Sequence, residues 1–256
     1  MRFIFALFRF DQDVMKRFPF VLLFVFAIIA SAATRAQTQF SGWLATFNTY
    51  KLNKKVSIHN DIQLRSSDEW THVQTLLLRA GVNIHVNKQF TLTGGYAFVD
   101  NRRVIGVVTG YAVEHRIWEQ LIFTHKIKPL TTTHRLRLEQ RFIPKTFVSN
   151  NEIETDGHAY ANRVRYFIRN VLPFKKQQGF SKGLFAALQD EVFLNIGNKA
   201  NVTGKSFDQN RFYAAMGYRL NPKFDLEAGY LNQYVEGRGQ AFTNNHVVQV
   251  ATYIRL

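Results

Sequence analysis

The residues of this sequence best suited to chemistry are arginines and carboxylates that alternate with apolar residues. In "HRLRLEQRF", His134–Phe142, Leu136 and Leu138 share one face of a strand with a period of two residues. The opposite face carries Arg135, Arg137, Glu139 and Arg141. A guanidinium group presents a planar fork of donors to carboxylates and other oxyanions, and it tolerates partial desolvation better than an ammonium group. The pattern therefore predicts ion pairs or an anion site inside a confined polar space.

The same pattern recurs along the chain and predicts a network of charges on one face of several strands. The predicted network consists of Arg65, Glu114, Arg116, Arg135, Arg137, Glu139, Arg141, Arg163, Arg165, Glu191, Arg211 and Glu227. The same faces also carry Arg79, Arg169, Arg219, Arg255, His59, His85, Asp61 and Asp225. Twelve arginines against six carboxylates leave this face with a net charge near +6 when histidine is neutral.

Nucleophilic catalysis and metal binding are less well supported. The strand serines are Ser41 and Ser57, and a serine nucleophile needs a paired histidine. His134, His158 and His246 lie near predicted strand ends without a paired strand serine, and no serine-centred elbow is present. His59 with Asp61 would need His85 or His115 nearby to ligate a metal. The sequence assigns no catalytic residue, no metal site and no cofactor, and the absence of cysteine excludes thiol chemistry and disulfides.

The elements that position these residues are predicted to be strands. From Gln39 onward, alternating segments are separated by turn signals, with little helical periodicity and no linker. The candidate strands are 39–50, 56–66, 71–86, 90–100, 112–127, 132–143, 159–171, 184–196, 209–220, 224–236 and 245–256. Segments of this length match the roughly 9–11 residues that a tilted strand needs to cross a bilayer.

The connections between the strands separate into two classes. Short ones such as "LNKK", "NKQ", "KPLT" and "NPK" alternate with longer ones such as "DNRRVIGVVTG" and "KTFVSNNEIETDGH". Ten of the thirteen lysines after residue 36 lie in or beside the short connections, whereas twelve of the fifteen arginines lie on strands. Short turns at one end, long loops at the other and a charged interior are typical of an outer-membrane barrel. A soluble barrel or sandwich with the arginines outside is the alternative.

The predicted fold is all-β: a single antiparallel up-and-down transmembrane β-barrel of about 10–12 strands. Single-chain bacterial barrels usually have an even number of strands. Either 39–50 is then not a full strand or 100–112 hides another one. Aromatic residues are expected to form girdles at the two membrane surfaces. They are Trp43, Tyr50, Phe90, Tyr96, Trp118, Phe142, Tyr166, Tyr218, Phe224 and Tyr230.

The first 36 residues are predicted to be a cleaved signal peptide, which leaves 37–256 as the barrel. A basic start after Met15, an apolar run from Phe18 to Ala33 and small residues before Gln37 have that layout, with Met1 or Met15 as the start. Of the 33 basic and 18 acidic residues, this segment holds five and two, so the rest carries a net charge of +12. A basic chain often binds nucleic acid, but export argues against such a partner.

Several stretches resemble a known family. "EHRIWEQ" (Glu114–Gln120), "HRLRLEQRF", "QDEVFLN" (Gln189–Asn195), "NRFYAAMGY" and "LEAGYLNQY" are similar to the domain of unknown function 2490 family. The resemblance covers essentially all of 37–256 and implies an outer-membrane β-barrel of Bacteroidetes-type, Gram-negative bacteria, with no established activity. It also implies membrane lipid and the barrel-assembly machinery as partners. Barrels of this kind usually end in an aromatic residue, whereas this chain ends in Leu256.

The sequence thus predicts a non-enzymatic barrel of the cell outer membrane. Its arginine- and carboxylate-filled lumen is expected to be closed or to pass only small anions. Across this lumen, the charged face of "HRLRLEQRF" is expected to meet partners such as Glu114, Glu191 and Glu227. The alternative is an outer-membrane lipid-modifying enzyme of the esterase or acyltransferase type, which would need a serine activated by histidine.

Overall fold

A computed structural model of the protein describes residues 36–127, 129–175 and 179–256, with only the backbone of Ala36. The predicted signal peptide, 1–36, otherwise lies outside the described residues. The strands are β1 (Ala36–Lys51), β2 (Val56–Ser66), β3 (Val73–His85), β4 (Phe90–Ile105), β5 (Val108–Ile127), β6 (Leu130–Ser149), β7 (Glu152–Pro173), β8 (Gly183–Ile196), β9 (Phe207–Asn221), β10 (Phe224–Glu236) and β11 (Phe242–Arg255). A single turn of 3₁₀ helix occupies Asp68–Trp70. In the described part of the chain, no helix is long and apolar enough to cross a membrane.

The strands form a closed barrel in sequence order, which confirms the predicted fold class. Consecutive strands pair antiparallel, and β11 closes the ring against β1. Eleven strands lie within the predicted range, but the expectation of an even number was wrong. With an odd number, β1 and β11 must run in the same direction. Accordingly, the Leu256 N–H donates to the Thr49 carbonyl at 2.8 Å, and the Leu256 carbonyl accepts from the Lys51 N–H at 2.6 Å, as in a parallel pair.

Two connections that the sequence suggested were long loops are tight hairpins. β4 and β5 pair as far as Ile105 and Val108, and β6 and β7 pair as far as Ser149 and Glu152. The second turn has positive φ at both Asn150 (48°) and Asn151 (62°), the conformation that a two-residue hairpin turn requires. The expected asymmetry of loop length is therefore weaker than predicted, because strands β5 to β7 are extended to 20–22 residues.

Lysine still distinguishes the two ends of the barrel. We call the end with connections 52–55, 86–89, 128–129, 174–182 and 222–223 the lysine end. Among its described residues are Lys54, Lys55, Lys88, Lys175, Lys182 and Lys223. We call the other end, with connections 67–72, 106–107, 150–151, 197–206 and 237–241, the opposite end.

Side chains on the inner face are buried and those on the outer face are exposed. On β3, for example, Leu77 and Arg79 are buried, whereas Leu78 and Val82 are exposed. The ring of Trp118, on the inner face of β5, fills space left by two glycines. A Cβ on Gly81 of β3 would lie 2.8 Å from that ring, and a Cβ on Gly95 of β4 would lie 2.6 Å from it. Glycine at these positions therefore permits close packing against Trp118.

The aromatic residues divide between the two faces. Tyr50, Tyr96, Tyr166, Tyr218 and Tyr230 are exposed on the outer face, as girdle residues must be. Trp43 and Trp118 are only 5% and 1% exposed on the inner face, so their assignment to a girdle was wrong. Both rings instead carry arginine side chains in the lumen: Arg65 lies over Trp43 and Arg137 over Trp118.

Candidate functional site

The lumen contains all twelve residues of the predicted charge network, because they occupy inner positions of their strands. β6 illustrates the local cause. Its backbone alternates, so Arg135, Arg137, Glu139 and Arg141 point inward while Leu136, between them, is exposed outside. The neighbouring strands bring the partners of these side chains to the same level.

Glu139 is the centre of the largest cluster and is only 1% exposed. Arg163 donates to its Oε2 from Nε at 3.0 Å and from Nη2 at 2.6 Å, and Arg165 donates from Nη1 to its Oε1 at 2.5 Å. Arg137 Nη1 lies 3.8 Å from the same oxygen. A single carboxylate therefore lies among several buried guanidinium groups and partly compensates their charge, an arrangement that is costly to interrupt.

Arg165 extends this cluster to a second carboxylate. It donates to Glu191 Oε1 at 2.8 Å from Nη2, and Arg135 donates to the same oxygen at 2.7 Å. Arg135 also stacks over the Phe167 ring at 4.2 Å. Of the predicted partners of β6, Glu191 is thus contacted by Arg135, as expected.

Glu114 forms a separate three-residue cluster. Arg116 and Arg141 each donate from Nε to its Oε1 at 2.7 Å and from Nη2 to its Oε2, at 3.1 and 3.2 Å. Both forks are bidentate, which is the strongest geometry for a guanidinium and a carboxylate. Glu114, one of the predicted partners of this stretch, is therefore contacted by Arg141.

The remaining carboxylates hold arginines outside these clusters. Arg79 donates to Asp61 at 2.7 and 3.1 Å, and His59 lies 3.1 Å from the same carboxylate. Glu227 accepts from Arg169 at 2.5 Å rather than from any residue of β6. At the lysine end, Asp225 pairs with Arg219 at 2.7 Å and also with Arg255.

Two predicted members of the network have no carboxylate partner among the described residues. Arg65 donates to the amide oxygen of Gln63 at 2.6 Å, and Arg211 contacts aromatic rings. Both side chains lie in the lumen with the rest of the predicted charge network, but neither forms an ion pair with a described residue. Their side chains point into the lumen, but the nearest carboxylates are already bound by other arginines.

The sequence did not predict one carboxylate of the lumen. Asp208 accepts from Arg163 Nη1 at 2.8 Å, although its position in the alternation of β9 would point it outward. A bulge where Phe193 pairs with Gln209 and Leu194 with Phe207 leaves Asp208 as the extra residue. Such a bulge interrupts the period of two on which the prediction of faces depends.

The charged side chains surround a cavity of about 740 Å³. Its lining includes Arg255 near the lysine end and Arg103 near the opposite end, so it extends along much of the lumen. Twelve arginines and three carboxylates line it, the latter being Glu114, Glu191 and Asp208. Asp61, Glu139, Asp225 and Glu227 do not line the cavity, although each binds an arginine that does. The accessible interior is therefore more positive than the predicted face, and it is not completely filled by ion pairs.

Among the described residues, the side chains of one serine and one histidine meet, a contact that the sequence did not predict. Ser57 Oγ lies 2.9 Å from His85 Nε2, and His85 Nδ1 lies 3.1 Å from the Thr91 hydroxyl. Ser57 is 1% exposed and does not line the cavity, and a hydroxyl occupies the place where a triad has a carboxylate. The pair of Ser57 and His85 therefore lacks both access for a substrate and a carboxylate that would orient the histidine.

The other histidines do not assemble a catalytic or metal site. His115, His134 and His246 lie on the outer face, each beside a tyrosine hydroxyl. His59 meets Asp61, but His115 lies on the other side of the wall. Within the described ranges, no group of three or more histidine or acidic side chains is arranged to hold a metal ion.

Both the sequence and the fold resemble those of known proteins. The family described as "Protein of unknown function (DUF2490)" matches residues 40–244. An uncharacterised protein of Methylorubrum extorquens is 22% identical over 201 residues, which are 78% of this chain and 81% of the relative. A solved structure of the NanC porin covers 79% of this chain and 92% of its own, with 10% sequence identity and a TM-score of 0.47.

Proposed function

The chain belongs to the family described as Protein of unknown function (DUF2490), and we propose that it is an outer-membrane β-barrel whose arginine-rich lumen admits small anions and restricts their passage. Export by the segment 1–36, insertion by the barrel-assembly machinery and a surround of membrane lipid are parts of the same proposal.

The outer face supports the membrane location. Large apolar side chains are exposed over the whole wall, among them Leu44, Ile62, Val82, Leu136 and Leu188. In water, so many exposed apolar groups would be costly, whereas in lipid they match the surrounding hydrocarbon. A closed ring of strands also satisfies the backbone groups that lipid cannot.

The single observation that carries the anion selectivity is the lining of the cavity by twelve arginines and three carboxylates. Rings of arginine in a pore attract anions and repel cations, and the low dielectric constant of the wall strengthens both effects. Ion pairs between strands that are not neighbours reach over part of the lumen and narrow it, because Arg169 on β7 donates to Glu227 on β10. The proposed conductance is accordingly small.

Planar-bilayer recording of the refolded protein tests this proposal. We expect a small conductance whose reversal potential in a KCl gradient shows preference for chloride. Arg103→Gln should reduce that preference, since Arg103 lines the cavity near the opposite end, whereas Lys54→Gln in an exposed turn should not. A cation-selective pore or a membrane without conductance would overturn the proposed passage. Heat-modifiable gel mobility in the outer-membrane fraction checks the location, and a periplasmic protein without that shift would contradict it.

A further inference from the structure

Most arginines that line the cavity form an ion pair with a carboxylate, but a few do not. Of the twelve that line it, eight pair with a carboxylate of the described residues. The other four are Arg65, Arg102, Arg103 and Arg211. Arg102 and Arg103 lie at the end of β4, next to the hairpin turn at 106–107. Arg65 and Arg211 are different, because they lie against a common side chain inside the lumen.

That common side chain is Trp43. The Arg65 guanidinium carbon lies 4.0 Å from the Trp43 ring centre and that of Arg211 lies 5.1 Å from it, so the two carbons are at most 9.1 Å apart. Arg211 also lies 4.8 Å over the Phe193 ring. The Trp43 ring is held in place, because it packs with the buried residues Tyr213, Leu231 and Val247. Stacking on aromatic faces orients a guanidinium group while leaving its edge donors free.

The donors of these two arginines are incompletely used. The Nε atoms of both Arg65 and Arg211 are buried and make no hydrogen bond with the described residues. Arg65 has one acceptor, Gln63 Oε1, and no side-chain hydrogen bond to Arg211 is present in the described part of the chain. Two neighbouring positive charges with buried, unfilled donors are unfavourable unless an acceptor with negative charge joins them.

We propose that Arg65 and Arg211, held on Trp43, form a binding site for one small oxyanion of the carboxylate, sulfate or phosphate class. An oxyanion supplies several acceptor atoms to the free edges of two guanidinium groups, and its charge removes their mutual repulsion. The inference depends on the proposed function in one respect, since the anion must be able to enter the lumen. It adds a defined place and a preference for oxyanions over chloride, which has no directed acceptors.

Isothermal titration calorimetry on the refolded full chain in detergent tests the site, with sodium sulfate, phosphate, acetate and chloride as separate titrants at constant ionic strength. We expect saturable binding of one equivalent of at least one of the three oxyanions, and weaker binding of chloride. Arg65→Gln and Arg211→Gln should each weaken binding at least tenfold. Arg103→Gln is the matched control, because it removes an unpaired arginine of the same cavity that does not lie on Trp43, and it should weaken oxyanion binding much less than either site variant.

Both site variants should fold, because neither arginine is an ion-pair partner of a carboxylate in the described residues; heat-modifiable mobility verifies this. Arg65→Lys and Arg211→Lys provide a second pair that keeps the charge but loses the planar fork, and they should also weaken oxyanion binding. Equal loss in Arg103→Gln would overturn the site in favour of diffuse attraction. Unchanged binding in folded Arg65→Gln and Arg211→Gln would also overturn it.

The two proposals fail in distinguishable ways. Absence of saturable binding in a protein that still conducts anions selectively would remove the site and leave the proposed function intact. Saturable binding that depends on both arginines, in a protein without conductance, would support the site and overturn the passage.

Discussion

The inner and outer faces of β6 place side chains of opposite character only one residue apart. Arg137 is almost fully buried in the lumen, whereas Leu136 is exposed on the outer wall. The two faces also differ in how their polar side chains are paired. In the lumen, each of Glu139, Glu191 and Glu114 serves at least two arginines.

On the outer wall, polar side chains form closed pairs between neighbouring strands. His134 Nδ1 lies 2.8 Å from the Tyr166 hydroxyl, and the hydroxyls of Tyr96 and Tyr230 lie 2.5 Å from His115 and His246. A closed pair satisfies two polar atoms locally, which the proposed lipid around the wall could not do. In these examples a lumen carboxylate is shared among several arginines, whereas a histidine of the outer wall lies beside one tyrosine hydroxyl.

The largest effect should come from breaking a shared carboxylate of the lumen. Glu139→Gln leaves the charges of Arg163 and Arg165 only partly compensated, by Asp208 and Glu191. Removing one partner from a buried ion pair costs about 3–5 kcal/mol, and the remaining carboxylates place the expected loss near the lower limit. Equilibrium unfolding in urea, in lipid vesicles, measures the free energy of unfolding.

Glu154→Gln is the control for this change. Glu154 is an exposed carboxylate on the extended β6–β7 hairpin and should change stability by less than about 0.5 kcal/mol. A Glu139→Gln variant with the same free energy of unfolding as the control would contradict this prediction. It would mean that the charge clusters of the lumen do not stabilise the fold.

A smaller effect is expected when a charge is placed on the outer wall. Leu136→Arg puts a guanidinium group on the outer side of β6, which the proposed function places in lipid. Such a change costs about 2–4 kcal/mol near the middle of a bilayer and less near its surfaces. We expect a loss of about 2 kcal/mol in vesicles. Thr133→Arg, on the same strand but lining the cavity, should lose less. A greater loss at position 133 than at 136 would reverse the assignment of the two faces.

The sequence was sufficient to predict the faces of β6. Its alternation of arginine and leucine is local, and the closed barrel preserves it. The same local rule failed at Asp208, where a bulge shifts the face, and at the 150–151 turn, where two asparagines with positive φ close a hairpin inside a predicted loop. Both features depend on backbone conformations at single residues, which periodicity does not report.

Partners across the lumen were harder to predict than faces. Arg135 meets Glu191 as expected, but Glu227 meets Arg169, and Arg65 and Arg211 meet on Trp43 instead of a carboxylate. These contacts depend on strand register, tilt and the reach of long side chains between strands that are not neighbours. Trp43 and Trp118 were assigned to the wrong face for a related reason, since aromatic content alone does not distinguish a girdle from a platform for arginine.

The smallest effect should come from opening one closed pair on the outer wall. Tyr166→Phe removes the hydroxyl that contacts His134 and leaves an imidazole nitrogen without that partner in an apolar medium. One hydrogen bond contributes about 0.5–1.5 kcal/mol, so the expected loss of stability is about 1 kcal/mol by urea unfolding in vesicles. Tyr218→Phe is the matched control, because Tyr218 is also exposed on the outer face and its hydroxyl contacts no polar side chain among the described residues. Its stability should therefore be nearly unchanged. Equal losses in the two variants would mean that the tyrosine hydroxyls act through the membrane surface, and that the histidine pairing adds nothing to stability.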